Sequence, residues 1–280
     1  MNAVSPLRVP VRTLDAARYA DTFAVFVARS HEYAAMLDRL VEIAATLTDQ
    51  FACLDVGAGT GMVIRDWLAR EGRRPGSYVA IEPIPAHAAA LRETMAELKV
   101  DGEVLEESYN ARYPLPGSFD LALFSHSLYW MADPVECVRH TFTALRPGGA
   151  VLAFLQGPFG VHPLFRLFDP LLERDLPSGP DHGLSSHELV VGLRAIGFDP
   201  HVTTDPTPFD LTGLFDKGAE QERDEFLSFC LQIEFSELSE PLKSDAVEYL
   251  RNACVHQDGQ LLWYEPTAAV TVRAASDGDC

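Results

Sequence analysis

The chain has 280 residues, 47% of them hydrophobic, with 41 acidic against 22 basic side chains and a formal charge of −19. That is enough apolar material for one substantial core, and a sign of charge that repels nucleic-acid backbones and anionic lipid headgroups. Cys53, Cys137, Cys230, Cys254 and Cys280 are scattered without a C-x-x-C pair, and His182 and His187 form no metal-ligand cluster with acidic or thiol side chains, so neither disulfides nor a metal site is expected.

Met1 to Pro10 lacks the apolar core of a signal peptide, and no run approaches about 18 uninterrupted apolar residues. The expectation is a cytoplasmic protein, monomer or homodimer, without nucleic-acid or membrane partners. Apolar residues recur near helical spacing from Leu14 to Val27 and again from Leu37 to Leu47, which predicts two helices before the first strand. Ser30-His31-Glu32 interrupts them as a polar connector with a capping serine.

A buried strand is predicted at 51–56, ending in Leu54-Asp-Val-Gly-Ala-Gly-Thr-Gly61. Glycines at such a turn permit tight backbone angles and let a ligand approach the chain, while the following helix offers its free N–H groups. The dinucleotide fingerprint G-x-G-x-x-G would place glycine at position 62, where this chain has Met62. Glu82 ends the next apolar run, where a carboxylate can accept hydrogen bonds from both ribose hydroxyls. A nucleotide-type cofactor is therefore expected on Gly57, Ala58, Gly59, Gly61 and Glu82, with Asp55, Pro83, His87, Ser108 and Ser125 on the same rim.

The alternation continues as helix 61–71, strand 78–82, helix 86–98, strand 102–106, strand 119–124, helix 134–145 from Asp133-Pro134, and strand 150–155. It predicts a doubly wound, mostly parallel α/β sheet whose ligand lies beyond the strand C-termini, with Ser125 and His126 on that rim. Residues 157–184 are rich in proline, glycine and aromatics, too irregular for a core strand and too apolar for a linker. A helix at 185–196, a strand at 200–205, helices near 219–235 and 239–254, and a closing strand drawn from 261–273 complete the reading. This gives a single domain: an N-terminal helical cover at 1–48, a cofactor-binding core at 49–156, and substrate-cover insertions at 157–184 and 206–260.

Leu54-Asp-Val-Gly-Ala-Gly-Thr-Gly61 resembles motif I of the class I S-adenosylmethionine-dependent methyltransferases, and Leu145-Arg-Pro-Gly-Gly-Ala-Val-Leu152 is similar to that family's turn into its fifth strand. The resemblance implies a Rossmann-like sheet with an antiparallel last strand, S-adenosylmethionine as cofactor, and a loop-ordering role for Asp55 near the methionine ammonium. The whole chain looks further like the histamine N-methyltransferase branch. There the resemblance implies that Glu32, after Tyr19 and Phe23, engages a substrate amine, and that Tyr129 and Trp130 line the acceptor pocket. Where that branch carries a glutamine this chain has His126, and where it carries an asparagine near the C-terminus this chain has Glu265-Pro266.

Methyl transfer from a sulfonium is an in-line displacement in which the protein aligns the partners and excludes water, with a base where the acceptor carries a proton. His126 is the expected base, with Glu32 and Tyr19 beside it; Phe23, Tyr129, Trp130, Phe159, Trp263 and Glu265 are the expected substrate contacts. The expected acceptor is a small nitrogen-containing aromatic of imidazole or indole type, methylated at ring nitrogen or ring carbon. The competing readings are an O-methyltransferase of a small phenol, an NAD-dependent oxidoreductase, and an inactive cofactor-binding module.

Overall fold

In the computed structural model, which describes residues 8–175 and 183–276, the chain starts with β1 (Val9–Val11), α1 (Ala16–Arg29) and α2 (Glu32–Ala45). His182 and Cys280 lie outside the described residues. There follow β2 (Ala52–Val56), α3 (Met62–Leu68), β3 (Ser77–Ile81), α4 (Pro85–Leu98), β4 (Gly102–Leu105), β5 (Phe119–Ser125), α5 (Pro134–Phe142) and β6 (Leu145–Gln156). Then come α6 (Val161–Phe168), β7 (Leu172–Arg174), α7 (Ser186–Ala195), β8 (His201–Asp205), β9 (Pro208–Asp210), α8 (Glu220–Leu231), α9 (Glu240–Asn252), β10 (Val255–Gln257), β11 (Gln260–Tyr264) and β12 (Thr267–Arg273).

These elements group into two compact units. The sheet unit comprises 33–155, 184–205 and 267–276. Its seven strands run β4-β3-β2-β5-β6-β12-β8. The pairs among β4, β3, β2, β5 and β6 are parallel, whereas β12 and β8 pair antiparallel. The strand order reverses at β2, with β3 on one side and β5 on the other, so the crevice for a ligand opens at the C-terminal ends of β2 and β5. The fold is the expected Rossmann-like one. One face of the sheet packs Leu54, Phe124, Val151 and Val270 with α5 and α7; the other packs Leu121, Leu152, Trp67 and Met95 with α2, α3 and α4.

The second unit comprises 8–32, 156–175, Gly183 and 206–266. Phe26 of α1 is its aromatic centre, with ring centroids 4.5 Å from Phe209 and 4.4 Å from Phe229. Two small sheets, β1-β7 and β10-β11-β9, complete it.

Local chemistry explains the agreements. Asp133 caps α5 by accepting from the Glu136 N–H at 3.0 Å with Pro134 next to it, and Ser185 and Glu188 cap α7 reciprocally. The differences come from pairing. Val9–Val11, within the stretch read as preceding a helix, form a strand against β7, and α1 starts only after Asp15, which accepts from the Arg18 N–H. Arg146 to Gly149, expected as a turn, already belong to β6 through a register irregularity opposite Phe119 and Leu121. For the same reason α5 stops at Phe142. The stretch 261–273 is not one closing strand: β11 pairs with β9 and β10, and only β12 enters the seven-stranded sheet. α2 packs Met36, Leu37, Leu40 and Ala44 with the sheet, so the N-terminal segment of the second unit ends at Glu32 rather than at 48.

Candidate functional site

In the sheet unit the glycine turn leaves β2 at the crevice. Gly57 takes φ +75°, and a Cβ there would lie 2.5 Å from the Ser127 Cβ, so both the turn and its closeness to β5 require glycine. Its N–H donates to the Ile81 carbonyl at 2.8 Å, and Ser127 Oγ donates to the Val56 carbonyl at 2.5 Å, tying β2, β3 and the end of β5 together. Ser127 escaped the sequence reading because its partner lies 71 residues away.

Glu82 is 4% exposed at the end of β3. One carboxylate oxygen accepts from the Gly59 N–H at 2.9 Å and the other from the Ile84 N–H at 3.0 Å, and His87 Nδ1 lies 3.6 Å away. Each oxygen has two lone pairs, so after ordering the turn the carboxylate can still accept from two ribose hydroxyls. Pro83 and Ser108 are exposed on the loops that follow β3 and β4.

Asp55 is 2% exposed, and its Oδ2 accepts from the Tyr78 hydroxyl at 2.5 Å. Burial, and to a lesser extent the Glu82 charge, push its carboxyl up to about 7 against the opposing Tyr78 hydrogen bond. Its Oδ1 and the Ser125 Oγ are buried without hydrogen-bond partners among the described residues. A buried acid with an unsatisfied oxygen beside a glycine turn fits an incoming ammonium, and the residues present fit S-adenosylmethionine: Asp55 would hold the ammonium, Gly57 to Gly61 would face the methionine stretch and Glu82 would hold the ribose.

This gives a pH prediction. The folded carboxyl titrates above its ordinary range, so its contribution to stability is complete at about pH 4 and is lost as pH rises through about 7. An ammonium ligand favours the ionised form, so affinity for S-adenosylhomocysteine should rise from pH 6 to 8, by at most about tenfold per unit. Titration calorimetry should find this slope flattened in Asp55→Asn; an unchanged slope would remove Asp55 from the ammonium site.

His126 follows β5 with φ +51°, a left-handed conformation uncommon outside glycine, and its N–H donates to the Phe154 carbonyl at 3.2 Å. Its ring stacks on Tyr129 with centroids 6.0 Å apart, and Nδ1 lies 3.4 Å from the Tyr129 hydroxyl. Tyr129 is buried, whereas Trp130, its neighbour in a short 3-10 turn, is 54% exposed, so only one member of the expected aromatic pair packs inward.

In the second unit Tyr19 stacks on Phe23 at 6.1 Å, and both rings sit 5.3 Å from Phe229. Burial pushes the Tyr19 phenol up to about 12, so it stays neutral. Glu32, the first residue of α2, is 5% exposed, and its N–H donates to Ser30 Oγ at 3.1 Å. Glu265 is buried, whereas Phe159 is 61% exposed. Trp263, expected to touch substrate, is 2% exposed and packs between Phe209 at 5.8 Å and Phe226 at 6.1 Å. No group of three potential metal ligands occurs among the described residues, and none of their helices is long and apolar enough to cross a membrane.

Residues 54–151, from the glycine motif into β6, match the family described as "Methyltransferase domain". One curated relative, a highly reducing polyketide synthase (ctvA) of Aspergillus terreus, is 26% identical over 166 residues, which are 54% of this chain and 6% of that protein. The chain thus matches a small part of that relative's length. Among solved structures, a candidate methyltransferase from Bacillus halodurans is similar with a TM-score of 0.55 at 16% identity, covering 86% of this chain and all (100%) of that one. An O-methyltransferase family protein from Burkholderia thailandensis is similar with a TM-score of 0.53 at 14% identity, covering 93% of this chain and 60% of that one. These likenesses are of fold.

Proposed function

We propose that the chain transfers a methyl group from S-adenosylmethionine to a small nitrogen-containing aromatic acceptor of imidazole or indole type, at a ring nitrogen or a ring carbon. Bound on the glycine turn, the sulfonium would supply an electrophilic methyl. Glu82 and Asp55 hold the two ends of the cofactor, and His126 takes the proton that the acceptor loses.

The observation that carries this reading is the His126–Tyr129 arrangement: a ring fixed in a left-handed backbone at the end of β5, on the strand that flanks the glycine turn. Left-handed backbone at a non-glycine residue costs free energy and is kept where it aims a group. Neutral imidazole has a ring nitrogen suited to accept a proton near neutral pH.

The test is a turnover screen of the full chain with methyl-labelled S-adenosylmethionine against imidazoles, indoles, phenols and carboxylic acids, read by mass spectrometry. Labelled imidazole or indole products are expected. Transfer only to phenols or carboxylic acids, or to nothing although S-adenosylhomocysteine binds, would overturn the reading.

A further inference from the structure

We propose that the chain forms a two-fold dimer by antiparallel pairing of β8 with β8 of a second copy, joining the two seven-stranded sheets into one. β8 (His201–Asp205) ends the strand order of its sheet, so one of its sides carries no partner strand among the described residues.

A bare row of strand N–H and C=O groups recruits another strand, and soluble proteins usually guard such edges with charge, proline or a bulge. The opposite edge of this sheet is guarded: β4 holds the exposed Glu103, and the exposed Asp101, Glu106 and Glu107 flank it. β8 has no lysine, glutamate or proline inside it, and it pairs with β12 in unbroken register from His201↔Thr271 to Asp205↔Thr267. Its acid, Asp205, is engaged by Arg39 of α2 at 2.8 and 2.7 Å, a contact that also holds the carboxyl below the usual carboxylate range. On a chain with a formal charge of −19, two copies meet most readily where acid is sparse or already paired.

The register with β12 sorts the side chains of β8 by face. Val202 lies opposite Val270, which packs with Leu189, Val190 and Leu193 of α7; Thr203 lies opposite Ala269, on the face that α2 covers. On the α7 face apolar side chains remain in water: Val202 at 37% exposure, Val191 of α7 at 54%, and Ile196, just past that helix, at 43%.

The sequence of β8 is its own complement. A two-fold axis through the sheet keeps each face on its own side, so the axis must pass a residue rather than a gap between residues. Pro200 and Pro206 bound the strand, and the axis that pairs the whole of it passes Thr203. Thr203 then faces Thr203, Val202 faces Thr204, and His201 faces Asp205. Paired threonines, paired β-branched side chains and opposite charges are combinations that stabilise a ladder. The imidazole N–H can donate to the Asp205 carboxylate, which keeps free lone pairs beside Arg39. The contact is also closed: with both β8 strands paired, the edges left are the two acid-guarded β4 strands, so growth stops at two copies.

Sedimentation of the full chain over a micromolar concentration series should show a monomer–dimer equilibrium. Thr203→Lys sets like charges against each other at the axis and should weaken association at least about tenfold, with circular dichroism and S-adenosylhomocysteine binding unchanged. Glu103→Lys, on β4, should leave the dimer intact. Cross-linking reads the register: under mild oxidation Thr203→Cys should give a disulfide-linked dimer, because the two thiols would face each other across the axis. Thr204→Cys, whose thiol would face Val202, should cross-link no more than the parent chain. A parent chain that stays monomeric overturns the proposal, as does a dimer that survives Thr203→Lys, or a Thr203→Cys variant that cross-links no better than Thr204→Cys. A monomer whose β8 amides are protected from hydrogen exchange would mean that another segment of the chain covers the edge, which overturns it too. Should Thr203→Lys fail to fold, the two cysteine variants still decide.

Discussion

Glu82→Ala is expected to weaken S-adenosylhomocysteine binding about 10²- to 10³-fold with little loss of folded protein. In the proposed complex the substitution removes two charge-assisted bonds to ribose hydroxyls, each worth about 1.5–3 kcal/mol, and about 1.4 kcal/mol corresponds to a factor of ten in affinity. It also releases the Gly59 and Ile84 N–H groups that the carboxylate orders at 2.9 and 3.0 Å. The turn then loses its preorganisation together with its ribose partner. Glu82→Gln should not rescue it, because an amide NH2 cannot accept from a backbone N–H. Calorimetry with circular dichroism of both variants is the measurement. Affinity within about threefold of the parent would show that Glu82 only shapes the turn.

His126→Ala is expected to lower kcat about 10²-fold or more on the acceptor found in the screen, with cofactor affinity unchanged, as for the loss of a general base. The left-handed backbone complicates alanine, which lacks the tolerance of asparagine for φ near +51°. His126→Asn separates the two contributions: it keeps the conformation and a polar tip but has no basic nitrogen. A kcat equally low in both variants assigns the loss to the ring. Full activity in His126→Asn would mean that residue 126 is needed for its backbone alone, and the base would have to be sought elsewhere.

The sequence by itself determined the sheet unit and the glycine turn with the carboxylate that orders it. Alternating strand and helix periods, the Asp133-Pro134 start and the spacing from Gly57 to Gly61 are short-range signals, because they act through sterics and hydrogen bonds within a few residues. Glu82 was legible for the same reason, one strand after the turn it serves.

Only the tertiary structure decided what depends on residues far apart in the chain. Val9–Val11 became a strand through β7 and Tyr264 left the closing strand through β9, because a short apolar run does not carry the name of its partner. Trp263 reads from sequence as a flat face, and only the fold shows that Phe209 and Phe226 are the rings beside it. Protonation is the most distant property of all. Asp55 answers to Tyr78 and Glu82, and Glu265 to Val161 and Glu32, and in both the largest influence is burial, which sums over the whole surrounding fold and is written in no single stretch of sequence.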